Sequence, residues 1–135
     1  MAAGVHVGSL VCRVGAVAAT GTLTVSGAGP SNNETAVVAG TTITAKTSGA
    51  VAANGEFPTS ATASVVATGM ALAINSVAAL SGVVTATADG AVVTISSAIP
   101  GLVGNGLTLT EGMTNVAAVA MSGGLNGTVY TLDLA

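Results

Sequence analysis

Between residues 83 and 96 two β-branched runs, VVTATA and AVVTIS, flank the dipeptide Asp89-Gly90. An Asp-Gly pair in that setting is the strongest short-range signal for a tight β-hairpin, because Gly accepts the positive φ of the turn and β-branched side chains suit a pleated surface. The pattern predicts strands at residues 83–88 and 91–96 with Asp89 on an exposed tip. It commits this part of the chain to antiparallel sheet. No other charged side chain occurs between residues 71 and 97, so the flanks of the hairpin are expected to face protein.

The rest of the chain follows the same grammar. TLTVS at residues 22–26 alternates polar and apolar positions, the period of a half-buried strand. The turn-rich GAGPSNN follows, and residues 36–39 and 41–46 then read as two strands around Gly40. Residues 47–58 are rich in Gly and Ala and are expected to form a loop. After Pro58 the period changes. Thr59, Ser60 and Thr62 offer N-cap hydroxyls, and apolar residues recur at helical spacing over residues 61–77. Val65, Gly69, Leu72 and Ser76 form one stripe, with Val66, Met70, Ala73 and Val77 beside it. Val65, Leu72 and Val77 are expected to pack on the sheet, and Gly69 to mark a close backbone approach. Residues 99–106 (IPGLVGNG) read as a loop, and residues 107–110, 116–121 and 128–134 as strands. The expected fold is α+β and mainly antiparallel β: a sandwich or sheet of roughly eight strands with one helix packed on it. Residues 1–20 form an extended N-terminal arm, and residues 21–135 a single β-rich domain.

Charge restricts what this fold can do. The 135 residues carry 2 basic and 5 acidic side chains, 5% in all, where ordinary soluble domains have roughly 25%. Interspersed charge normally keeps a free domain soluble and its sheet edges unpaired. A surface this poor in charge is expected to be covered by other subunits. A net charge of −3, with Arg13 and Lys46 as the fixed cations, excludes a phosphate-tracking surface, so no nucleic-acid partner is expected. Gly, Ser, Thr and Asn interrupt every apolar run before the roughly 18 residues of a membrane span, and no membrane partner is expected. The first twenty residues lack the basic leading region of a signal peptide and are read as mature structure.

No constellation of reactive side chains emerges. His6 is the single histidine and Cys12 the single cysteine; neither has a ligand-type neighbour at metal-binding spacing, and Cys12 reads as an inert thiol. Glu34, Glu56, Asp89, Glu111 and Asp133 lie in separate segments and read as solvated loop charge. Calcium binding by Glu34 or Glu111 has no loop motif behind it. GLVGNG at residues 101–106 lacks the Lys of a phosphate loop and the Gly spacing of a dinucleotide site, and no GxSxG nucleophile elbow occurs. No catalytic, cofactor-binding or metal-binding residue is assigned, no cofactor is expected, and the chain is not expected to be an enzyme. Residues 1–8 (MAAGVHVG), uncharged and Gly-containing, are expected to pair with a neighbouring subunit by strand addition, together with the last strand.

The order GTLTVSG, VVAGTTITAKT, SATASVVATGMALAINS, GVVTATADGAVVTISS, GLVGNGLTLTE, SGGLNG resembles a module of tailed-bacteriophage tail, sheath, fibre and head-surface proteins. It is similar also to the flagellin hook IN motif. The features that carry the likeness are ALAIN at residues 71–75, the hairpin at Asp89-Gly90, and Gly104-Asn105 leading into LTLTE; they span about residues 21–127. The resemblance implies a virion structural protein, on the capsid surface or tail. In a single stand-alone copy it implies a capsid decoration or cement protein. Such a protein would stabilise the shell by strand addition and apolar contacts, with itself as a homo-oligomer and with the major capsid protein as partners. Alternatives are a tail-tube, sheath or fibre-associated subunit and, from another class, a secreted adhesin or carbohydrate-binding module. Sugar sites favour aromatic platforms, and this chain has one Phe and one Tyr.

Overall fold

The computed structural model describes residues 9–133. Its elements in chain order are β1 (Ser9–Val14), β2 (Thr20–Val25), β3 (Thr35–Val38), β4 (Thr41–Lys46), β5 (Glu56–Pro58), α1 (Ala63–Ser76), β6 (Val84–Asp89), β7 (Val92–Ser97), β8 (Leu109–Glu111), β9 (Val116–Ser122) and β10 (Thr128–Asp133). Eight strands form two four-stranded sheets. One is ordered β6-β7-β2-β9 and the other β5-β4-β3-β8, while β1 and β10 pair only with each other. Every pairing is antiparallel except β4 with β5. The α+β, sheet-rich architecture with one helix is the one the sequence predicts.

Alternation builds the core. Leu23 and Val25 of β2, Val93 and Ile95 of β7, Ile43 and Ala45 of β4, and Phe57 of β5 are all buried on one inner layer, as the period of two requires. The helix adds Val66, Ala67, Met70, Ala73 and Ile74, joining both sheets into one apolar cluster. Gly69 lets it lie close: a Cβ there would meet Pro58 Cδ at 3.1 Å, the close approach the sequence predicts.

Three local expectations are corrected. Val65 and Leu72 are exposed, at 49% and 59%, while Val77 is buried. The buried stripe is the neighbouring one, Val66–Met70–Ile74, and Gly69 lies at its flank where the helix meets Pro58. The hairpin pairs Asp89 with Val92, so its turn residues are Gly90 and Ala91, with Gly90 at φ +57°. A turn with Gly at its first central position needs positive φ there alone, and this register puts Val84, Ala86, Val93 and Ile95 on the buried face. Asp89 is exposed as expected, but as the last residue of a strand. Finally, residues 47–58 are more than a loop. Glu56 Oε2 accepts from the Val51 N–H, and β5 adds in parallel to β4 through Thr44↔Glu56 and Ala45↔Phe57. Phe57 supplies the burial that a three-residue strand needs.

The arm is described only from Ser9 onward. Residues 1–8 lie outside the described residues. Ser9–Val14 pairs with β10, the last strand, of the same chain. The register explains it. Partners step without a break from Thr20↔Ser122 through Val17↔Leu125 to Val14↔Thr128 and Ser9↔Asp133. The β1–β10 ribbon is thus the β2–β9 ladder carried beyond the sheet.

Candidate interaction surface

The neck where the ladder leaves the sheet is clamped by residues 99–106. The Gly101 N–H donates to the Val17 carbonyl at 2.9 Å, the same carbonyl that accepts from Leu125 at 3.0 Å. Asn105 makes a reciprocal pair with Gly124: Nδ2 donates to the Gly124 carbonyl at 3.1 Å and Oδ1 accepts from the Gly124 N–H at 2.8 Å. Asn126 Oδ1 accepts from the Leu102 N–H at 2.9 Å. Gly124 allows this fit, since a Cβ there would run into the Gly101 carbonyl oxygen. Read from sequence as part of a loop, GLVGNG contains a short 3₁₀ helix, Leu102–Gly106, and the segment is hydrogen-bonded to both strands of the neck. We call it the collar.

The collar is fixed from below and apolar on top. Ile99, Leu102 and Val103 are exposed, Val103 at 65%, and Val17 and Leu125 of the neck lie beside them, also exposed. Between Ile99, Val103 and Leu107 opens a cavity of about 110 Å³ floored by Gly104 and Ser97. No charged residue occurs in residues 98–107 or 123–127. An apolar patch on a backbone with every clamp satisfied loses little conformational entropy on binding, the property of a contact surface rather than of a mobile loop.

A second surface feature is the open edge of the first sheet. Its far edge, β6, is covered by α1 and sealed at Ala86 by Asn75. Its other edge, β9, has no strand on its outer side among the described residues. Between β9 and β10 the outer side is capped at Gly124 by Asn105, and β10 pairs with no described strand besides β1.

The titratable residues serve the scaffold. Glu34, read from sequence as solvated charge, accepts from Thr114 Oγ1 (2.7 Å), the Thr114 N–H (2.7 Å) and the Ser31 N–H (2.8 Å). The Thr114 hydroxyl first, then the two backbone amides, hold its carboxyl below the ordinary value. Glu56 Oε2 accepts from the Val51 N–H, and Glu111 Oε2 from the Met113 N–H. The loop reading of these three acids is therefore corrected: each pins a backbone turn that would otherwise leave an N–H unpaired. Lys46 donates to Asn33 Oδ1 at 2.9 Å and stands 3.9 Å from Glu56. His6 lies outside the described residues and Cys12 falls within β1. Among the described residues no three His, Cys, Asp or Glu side chains gather as metal ligands, and no helix is long and apolar enough to cross a membrane.

Sequence reasoning missed the asparagines. Asn75, Asn105 and Asn126 each stand alone in an apolar or Gly-rich run, and an amide bearing both donor and acceptor is the side chain able to mimic a paired peptide. That isolation was the available signal. No protein family matches the chain, and no curated protein is similar to it in sequence.

Proposed function

We propose that this chain is a non-enzymatic virion structural protein, a capsid decoration or cement protein that docks on the shell through its collar. The observation that carries the reading is the rigid apolar patch of Ile99, Leu102 and Val103 beside a small apolar cavity, on a chain with 5% charged residues. Burial of an exposed aliphatic side chain is worth about 1.5–3 kcal/mol when complete, so these anchors would supply the main attractive contribution to docking. The resemblance in residues 21–127 supports the viral setting.

Purified particles of the phage that encodes the chain, analysed by quantitative mass spectrometry before and after a high-salt wash, test this. Apolar docking predicts a high copy number retained through the wash, and loss from particles of the double variant Leu102→Asp, Val103→Asp. Absence from the particles, or release by moderate salt, overturns it. A copy number matching stacked tail rings moves the chain to the tail.

A further inference from the structure

We propose that Asn126-Gly127 is a site of spontaneous deamidation, at which this chain converts a clamp of its own collar into an acidic, lengthened linkage. The inference stands independently of the virion reading, because it needs only the chain and water.

Three asparagines precede glycine: Asn54, Asn105 and Asn126. Such a pair is reactive, because a residue without a side chain lets its backbone nitrogen swing onto the preceding amide. The Gly nitrogen attacks the Asn Cγ, the Cγ–Nδ2 bond breaks, and ammonia leaves with the proton that the Gly nitrogen gave up. Water then opens the cyclic imide. Cleavage at Cγ gives Asp, and cleavage at the backbone carbonyl carbon gives isoaspartate. In a folded chain the first step requires a Gly N–H free to lose its proton, an amide nitrogen free to depart and a backbone free to turn.

These requirements are met at one pair and blocked at the other two. After Asn54, the Gly55 N–H is tied to the Ala52 carbonyl at 2.9 Å, and Gly55 is buried against the Thr42 carbonyl. At Asn105 both ends of the amide are held by Gly124, Nδ2 at 3.1 Å and Oδ1 at 2.8 Å. Asn126 differs. It and Gly127 are exposed and lie outside the strands, and the Gly127 N–H bonds no backbone carbonyl among the described residues. The Asn126 side chain is held at Oδ1 alone, by the Leu102 N–H at 2.9 Å. That contact draws electron density from Cγ, the atom attacked, and leaves Nδ2 unheld. A single exposed hydrogen bond also opens far more often than a reciprocal pair.

The products change the neck. Isoaspartate runs the main chain through Cβ and Cγ, which adds one backbone atom between Leu125, bridged to Val17, and Thr128, paired with Val14. Extra length on one strand of an antiparallel pair disrupts the ladder locally, as a bulge does. Either product sets a carboxylate beside Leu102, where residues 98–107 and 123–127 carry no charge. The collar thus gains a negative charge and a looser neck as the molecule ages.

Peptide mapping by mass spectrometry tests the proposal, on the purified full chain aged at mildly alkaline pH, folded in one sample and unfolded in urea in another. In the folded chain Asn126 is expected to gain the mass of the Asn-to-Asp change about tenfold or more faster than Asn54 or Asn105. In urea the three should react at closely similar rates, since no tertiary bond protects any of them. Asn126→Gln, whose longer side chain would have to close a larger ring, should leave that peptide unchanged. The isoaspartate form, separated by anion exchange, should show about tenfold faster hydrogen exchange across residues 98–107. A folded chain in which Asn126 reacts no faster than Asn54 or Asn105, or reacts only in urea, overturns the assignment. Exchange in the isoaspartate form equal to the parent's overturns the effect on the collar.

Discussion

The Asn75 side chain occupies the place of a neighbouring strand for Ala86: its amide accepts the Ala86 N–H and donates to the Ala86 carbonyl, both at 2.8 Å. Asn75 is the penultimate residue of α1, so the same residue docks the helix end and seals the sheet edge. Asn75→Ala leaves both groups of Ala86 short of a partner. We expect a loss of about 1–3 kcal/mol in urea unfolding. Asn75→Asp keeps the acceptor but sets a carboxylate against the carbonyl, and should be at least as damaging above the carboxylate pKa. Equal stability of all three chains would refute this role.

The β3–β4 hairpin turns through Ala39 and Gly40, with φ of +46° and +83°. A two-residue turn with both centres at positive φ favours Asn-Gly, and an L-residue other than Gly, Asn or Asp is strained there by roughly 1–2 kcal/mol. Ala39→Asn is therefore expected to raise stability by about 0.5–1 kcal/mol, read as a higher denaturation midpoint with an unchanged slope.

Glu34 ties the β2–β3 connection to the turn before β9 through Ser31 and Thr114. Its carboxyl is held below the ordinary 4.5, so the ionised form is favoured by folding. The stabilisation is fully present above that ordinary value and is lost as pH falls through the lower folded value. Glu34→Gln should thus be less stable than the parent at neutral pH, with the gap closing on acidification below pH 4.5. A gap that persists unchanged at the acid end would show that the hydrogen bonds act without the charge. Thermal melts across that range make the comparison.

The fold was legible where a single period governed many residues. The hairpin at residues 83–97, the strand at residues 41–46 and the helix after Pro58 all announced themselves through alternation or helical spacing. The helix face was not legible, because Val65–Leu72 and Val66–Ile74 are equally apolar stripes and the choice depends on which side of Gly69 meets Pro58. β5 was hidden because three residues carry no period; Phe57 is buried by what packs on it, not by its neighbours in sequence. The collar stayed invisible for the same reason. Its apolar residues are ordinary in composition, and only the long-range clamps Asn105–Gly124 and Gly101–Val17 make them a fixed surface.

The unbroken register from Ser9↔Asp133 to Thr20↔Ser122 has a mechanical consequence. Tension applied across Ser9 and Asp133 at the ribbon's tip loads the cross-strand bonds one after another, as in a zip, and not all together as in shear. The ribbon should peel at low force. The peeling front then meets the collar, where three backbone and side-chain clamps join the neck at once, and the sheet beyond stays intact until those give way. The collar is where an advancing tear would stop.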